Sequence, residues 1–365
     1  MADGTIPRPV AEIPGSLSVA TDVRAAKILS VNKDPKVCWQ GQVPGHRGFV
    51  LTLDEARRMV REDPLSAQVL HPYLIGDELV GDGIPTRFVI DIAADDAMTA
   101  AAMAPAAFRH VRDLVLPDRQ VAADEEQQHN REALARHPEA RVNRHHERFL
   151  NTWWQHSWRR PTMVAALSRL PRYIALSSVA SEYRMPVFSF VSSEIHPSNL
   201  TFVFGLADDY NFGILQSGAH VAWFRERCSR LEARPRYTSK TVFDSFPWPQ
   251  APEQNAVDRV VEVVAEPLAF RAERMAQGIT IGQQYNSLRQ PGRSRLRDLH
   301  EALDRAVLDV YGFDPDEDLL AQILALNLSV AEQEQVGGAV RGPGAEGLAN
   351  VARTSWRIEP VHRLA

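Results

Sequence analysis

The chain has 365 residues, 44% of them apolar and 24% charged, the profile of a folded soluble protein with room for two domains and a sizeable core. Its net charge of -5 argues against a protein that coats DNA by charge alone. No run of about 18 apolar residues predicts a membrane span, the polar, proline-rich start is unlike a secretory signal, and Cys38 and Cys228 lie too far apart for a zinc ribbon or disulfide framework, so the predicted compartment is a reducing cytoplasm.

In chain order, residues 1–30 read as a lead-in. Trp39 to Val43 predicts a strand, Pro44-Gly45-His46 a turn, and Phe49 to Leu51 a second strand. Thr52 stands three residues before Glu55, the spacing of a capping box, and predicts a helix from Leu53 to about Glu62 that stops at Asp63-Pro64. Val69 to Tyr73 and Arg87 to Ile92 read as short strands, and Ala97 to Val115 as a helix. Asp124 to His137 is polar, helical or loose. The aromatic cluster Asn151 to Trp158 precedes a short amphipathic helix at Pro161 to Leu170. Four strands are then predicted from Arg172 onward (RYIALSSVA, PVFSFVS, LTFVFGLA and YNFGILQS), with a turn at Asp208 to Asn211 between the last two. His220 to Arg230 predicts a helix, and Arg236 to Thr241 an extended or loop segment. Beyond Pro252 the period becomes helical: Val257 to Met275, Ser294 to Tyr311 and Leu319 to Glu332.

The fold class is therefore α+β: a mixed-strand domain over 31–250, then an α-helical domain over 251–333 and a flexible tail over 334–365.

Charge is unevenly spread. Arg141, Arg144, Arg148, Arg159 and Arg160 stand against the single acid Glu147. Arg225, Arg227, Arg230, Arg234, Arg236 and Lys240 stand against Glu226 and Glu232, and four arginines lie between Arg289 and Arg297. Such stripes are either solvated faces or footprints for a polyanion.

Several chemistries find no motif. Gly81-Asp82-Gly83 lacks the strand–turn–helix setting of a nucleotide-binding turn. Asp244-Ser245-Phe246-Pro247 has Ser-Phe where the base-holding turn of an amino-methyltransferase needs two prolines. His145-His146-Glu147 meets Leu150 where a zinc motif needs histidine.

Three word blocks carry a resemblance. WQGQVPGHRGFVLTLDEA, DPLSAQVLHPYLIGDEL and PTRFVIDI resemble the start of the target recognition domain of MmeI-type (type IIL) restriction–modification enzymes. WWQHSWRRPTM, LPRYIALSSVASEYRMPVF and the stretch from Asp208 to Pro249 resemble its second half, and LHEALDRAVLDVYGFDPDEDLLAQILALN the helices that follow it. The resemblance spans about Val23 to Leu328. It implies sequence-specific recognition of double-stranded DNA for adenine-N6 methylation, in restriction–modification or phage defence. It implies no cofactor in this chain, with S-adenosylmethionine held by a separate catalytic methyltransferase chain or domain. The other reading is a regulatory remnant that binds such a partner without reading DNA.

Within this frame Glu232 and Arg234 are the candidate base readers. Two apart in an extended segment, they point the same way. A carboxylate accepts from the cytosine amino group while a guanidinium grips guanine O6 and N7, so together they suit one C·G pair. The resemblance supports this, since the matching stretch of the family carries base readers. The alternative is an exposed ion pair worth at most ~1 kcal/mol. Arg225, Arg227, Arg230, Arg236, Tyr237, Thr238, Lys240 and Arg47 are the candidate phosphate contacts. For Arg225 and Arg230 a plain helix-surface role, and for Arg47 a turn role, stays open.

Overall fold

The computed structural model describes residues 21–178, 185–231, 234–344, 354, 356–360 and 364. The first described stretch holds β1 (Cys38–Gln40), β2 (Val50–Thr52), α1 (Leu53–Glu62), β3 (Leu70–Leu74), α2 (Gly76–Val80), β4 (Arg87–Ile90), α3 (Ala97–Met103), α4 (Pro105–Arg136), α5 (His145–Asn151) and α6 (Pro161–Leu167). The predicted capping box of α1 forms: the Thr52 hydroxyl accepts from Glu55 N, and the Thr52 amide donates to the Glu55 carboxylate at 2.8 Å. The chain continues through β5 (Arg172–Ser177), β6 (Phe188–Ser192), β7 (His196–Pro197), β8 (Thr201–Phe204), α7 (Asp209–Gln216), α8 (Gly218–Arg227), β9 (Ser229–Leu231) and β10 (Arg234–Arg236). It ends in α9 (Gln254–Ala276), α10 (Ile281–Ser287), α11 (Arg295–Tyr311) and α12 (Leu319–Gln335).

Two four-stranded sheets organise these elements, in the orders β1-β8-β5-β6 and β2-β4-β3-β7. They exchange strands. β1, from the first part of the chain, pairs with β8, and β7, from the second, runs parallel to β3. In β5 the alternation of side chains sends Ile174 and Leu176 to one face and Tyr173 and Ala175 to the other. Both faces are buried, which is why this strand reads as a continuous apolar run. Ile174, Leu176, Phe188, Phe190 and Phe204 form one core with Phe212 of α7, Val260 and Val264 of α9, and Leu303 and Val307 of α11. Tyr173, Ala175 and Val191 pack on the opposite side against Met163 and Leu167 of α6.

The sequence expectations differ from this architecture in four places. YNFGILQS, read as a strand, is helix α7. The Asp208 carboxylate caps it by accepting from Asn211 N at 2.8 Å, and every residue of the helix is buried, so a short apolar run carried no helical period. The polar segment after Val115 is one continuous helix with Pro117 inside it. Position 250 marks no break in packing, because the β1-β8-β5-β6 sheet and the helices after it share a core. Arg271 of α9, fully buried, bridges that join by donating to Phe188 O and Gln216 Oε1, each at 2.9 Å, and to the Tyr285 hydroxyl. Gly213 permits the close approach, since a Cβ there would lie 2.5 Å from Val260 Cγ1. The ends are also tied in: Leu29 N donates to Asp244 O at 2.8 Å, and Ile358 N to Phe190 O at 2.9 Å, with Ile358 4% exposed.

Candidate nucleic-acid interface

β9 and β10 form an antiparallel hairpin in which Arg234 faces Leu231 and Arg236 faces Ser229. Along β10 the pattern is exposed, buried, exposed. Arg234 and Arg236 therefore point to solvent together, while Pro235 turns inward. Glu232, the proposed partner of Arg234, lies outside the described residues, as does part of the segment after Ser178.

Tyr237 anchors the hairpin. It is 1% exposed, contacts the rings of Phe202, Phe204 and Phe224, and its hydroxyl lies 3.2 Å from His220 Nε2. This corrects its expected place at a phosphate: a hydroxyl consumed inside the core is not offered to DNA, and burial pushes the phenol pKa well up. Burial also lowers His220 to about 3, so its imidazole is neutral. Arg227 is likewise committed inward. Its guanidinium donates to Val23 O at 3.0 Å and to Thr241 O at 3.3 Å, and burial lowers its pKa. It braces the loop after the hairpin. Thr238 is half-buried, its hydroxyl bonded to that of Thr241. Arg225 and Arg47 are exposed, and of the Arg230 side chain nothing is described.

What the hairpin borders is a cleft of about 350 Å³, lined by Lys36, Trp39, Gln40, Arg160, Phe202, Ser229 and the run from Arg236 to Lys240. It gathers Lys36, Arg160, Arg236 and Lys240, and none of the described residues lining it is a carboxylate. Two of the expected contacts, Arg236 and Lys240, thus meet here, with Thr238 beside them. Arg234 is exposed but does not line the cleft, nor do Arg225 and Arg47. Sequence reasoning missed Lys36, Trp39 and Arg160 as site residues, because strand exchange delivers the first two from far up the chain. Arg160 left a signal: it precedes Pro161, and a residue before proline is disfavoured in the right-handed helical region.

A second charged cluster lies between the sheets. Asp91 accepts from Arg159 Nε at 2.6 Å and from Gln42 Nε2 at 2.8 Å, while His196 Nδ1 lies 3.0 Å from Gln42 Oε1 and its ring stacks on His71 at 3.9 Å. Burial, with repulsion from His71, lowers His196 to about 3. Burial works to raise the Asp91 carboxyl, yet it is held below the usual range by its neighbours. With His156 and His196 neutral at pH 7, Arg159 and the Gln42 amide supply that hold. Neither Asp91 oxygen lacks a partner, so the arrangement is a brace between β4, β7 and the segment before α6. Among the described residues no His, Cys, Asp or Glu group could hold a metal ion, and no helix is long and apolar enough to cross a membrane.

The motifs set aside in the sequence stay outside any cofactor geometry. Gly81 to Gly83 follow α2 and precede β4, the reverse of a strand–turn–helix turn. Phe246 and Trp248 are buried, and the Tyr311 hydroxyl of α11 donates to Pro247 O at 2.9 Å, so this segment packs the helices onto the sheet.

Comparison with known proteins gives the cleft its setting. Residues 114–250 match the family model of the MmeI target recognition domain. Over that range the chain resembles an MmeI-type target recognition domain. The matched range contains Arg160, the hairpin and Lys240. DNA methyltransferase A of Bacillus subtilis (strain 168) is 30% identical over 164 residues, which are 44% of this chain and 18% of that protein. The solved structure of the type IIL restriction-modification enzyme MmeI in complex with DNA shares the fold, with a TM-score of 0.61 at 21% identity, over 82% of this chain and 36% of the other. The chain thus spans well under half the length of either relative. The α+β recognition fold and its trailing helices agree with that structure, as the sequence predicted.

Proposed function

We propose that this chain is the DNA-reading portion of an adenine-N6 methyltransferase or restriction–modification system, and that methyl transfer from S-adenosylmethionine belongs to a separate catalytic chain or domain. The observation that carries this reading is the cleft itself: within a target recognition domain, four cationic side chains converge beside an exposed two-arginine hairpin. Cations in such a setting fix a protein on the phosphate backbone, while base edges supply the sequence information. Arg234 and Glu232 read one C·G pair in the major groove, Arg234 as donor to guanine and Glu232 as acceptor from cytosine. Arg236 and Lys240, with Thr238, contact phosphates. Arg225, Arg230 and Arg47 remain candidates for outer phosphate contacts. The compartment is the cytoplasm, where the DNA is.

Selection from a random duplex library by the purified chain, with and without its catalytic partner, tests this. A defined motif is expected, and the Glu232→Lys, Arg234→Asp double variant should select a different base pair at one position. Enrichment of no motif in either setting favours the regulatory remnant. An unchanged motif from the double variant removes the role given to Glu232 and Arg234.

A further inference from the structure

Arg160 is, among the described residues, the one non-glycine residue with a positive φ (φ 59°, ψ 52°). A side chain in this region is strained, and such strain persists only where the surroundings impose it. The surroundings are identifiable. Val43 and Trp158 exchange backbone hydrogen bonds of 3.0 and 3.1 Å, Gln42 Nε2 donates to Arg159 O at 2.8 Å, and Arg159 is locked to Asp91. With residue 159 pinned to Asp91, the left-handed turn at 160 sends the next guanidinium to the cleft.

There its Nε is buried and has no hydrogen-bond partner, and burial lowers the guanidinium pKa. The Trp39 indole N–H, lining the same cleft, is also buried and unpartnered. Buried donors are nearly always satisfied, so two orphans in one cleft wall require an explanation. Both groups donate only, so what they lack is an acceptor. The cleft adds Lys36, Arg236 and Lys240, with no carboxylate among its described lining. A neutral base edge does not call for that much positive charge; a phosphate, with a full charge and several acceptor oxygens, does.

We infer that Arg160 and Trp39 together hold one DNA phosphate in this cleft, the buried Arg160 Nε–H and Trp39 indole N–H turning to it when DNA binds. The inference rests on the DNA-reading function proposed above and adds two contacts to it. Arg236 and Lys240 supply charge around the same phosphate.

The test is fluorescence anisotropy of the full chain with a labelled mixed-sequence duplex over a range of salt concentrations. Arg160→Gly should fold with an unchanged or higher Tm, because glycine suits a positive φ. Its affinity should fall about tenfold, and the slope of log K against log salt should become shallower by about one. Trp39→Phe removes a neutral donor, so affinity should fall about threefold with the slope unchanged. Wild-type affinity and slope in folded Arg160→Gly overturn the inference. So does a loss confined to duplexes that differ at one base pair, which would make Arg160 a base reader. If the wild-type chain itself does not bind the duplex, the proposed function falls along with the inference. Binding by the wild type with no effect of either variant overturns the inference alone.

Discussion

Arg159 and Arg160 are neighbours in sequence and opposites in circumstance. Arg159 is partly exposed and paired with the buried Asp91 at 2.6 Å. Arg160 turns into the cleft and its Nε has no partner. Charged and polar groups gather around each, yet one cluster contains a carboxylate that pairs with its cation and the other has none among its described lining. In the cluster of Asp91, Gln42, Arg159 and His196 both carboxylate oxygens are paired, and the cluster ties β4 and β7 of one sheet to Gln42 and to the segment before α6. The cleft of Lys36, Arg160, Arg236 and Lys240 has charge left over. Pairing of the charge, rather than the presence of ionisable residues, separates a brace from a binding surface. The brace also aims the cleft, since it fixes the residue from which Arg160 departs.

The sharpest way to break this contrast is to remove the centre of the brace. Asp91→Ala leaves the partly exposed Arg159 and the Gln42 amide without their anion, and a loss of about 2–3 kcal/mol is expected, less than for a fully buried pair broken on one side. Urea denaturation measures it. A loss below about 1 kcal/mol would mean that Asp91 does not hold the segment before α6 to its sheet.

Acid should act on the brace. His196 stands at about 3 in the folded chain, against about 6.5 unfolded. The unfolded chain therefore binds a proton that the folded chain refuses as the pH falls between those values. Stability is full above about pH 6.5 and declines as pH drops towards 3, by up to about 1.4 kcal/mol per pH unit for one such histidine. His220 and His300, also lowered to about 3 by burial, add to the same decline. His196→Gln keeps a polar partner for Gln42 and removes one of these titrations, so a plot of Tm against pH should flatten in part below about pH 6.5, with His220 and His300 supplying the remaining slope. An unflattened plot would show that His196 is protonated in the folded chain.

The smallest effect on stability belongs to the cleft. Arg236→Ala should change folding free energy by less than about 0.5 kcal/mol, as exposed substitutions do. It should nonetheless weaken binding to all duplexes alike and reduce the salt slope by about one. A large drop in Tm would place Arg236 with the brace.

Local features of this fold were legible in the sequence. The capping box at Thr52, the apolar strand at Arg172 and the helical period of α9, α11 and α12 each depend on residues a few positions apart, and each appears where it was predicted. Helix α7 was misread because it is buried all round, which erases the periodicity that distinguishes a helix from a strand. The site was legible only along the hairpin. Arg236 and Lys240 announce themselves in a basic run, but Tyr237 between them carries the same polar tip and spends it on His220. Lys36 and Trp39 had no local signal, because the pairing of β1 with β8 brings them to Phe202 from the far end of the recognition domain.

That pairing bears on any attempt to graft this module into another enzyme. A segment cut at 114 and 250 would begin inside α4 and omit both β1 and the helices whose valines and leucines complete the core. The transplanted sheet would expose the free edge of β8 and an uncovered apolar face, an invitation to aggregate. A workable donor fragment must start ahead of Val23 and run through α12, whose Ile323 belongs to the same core, so that the wall of the cleft travels with its floor.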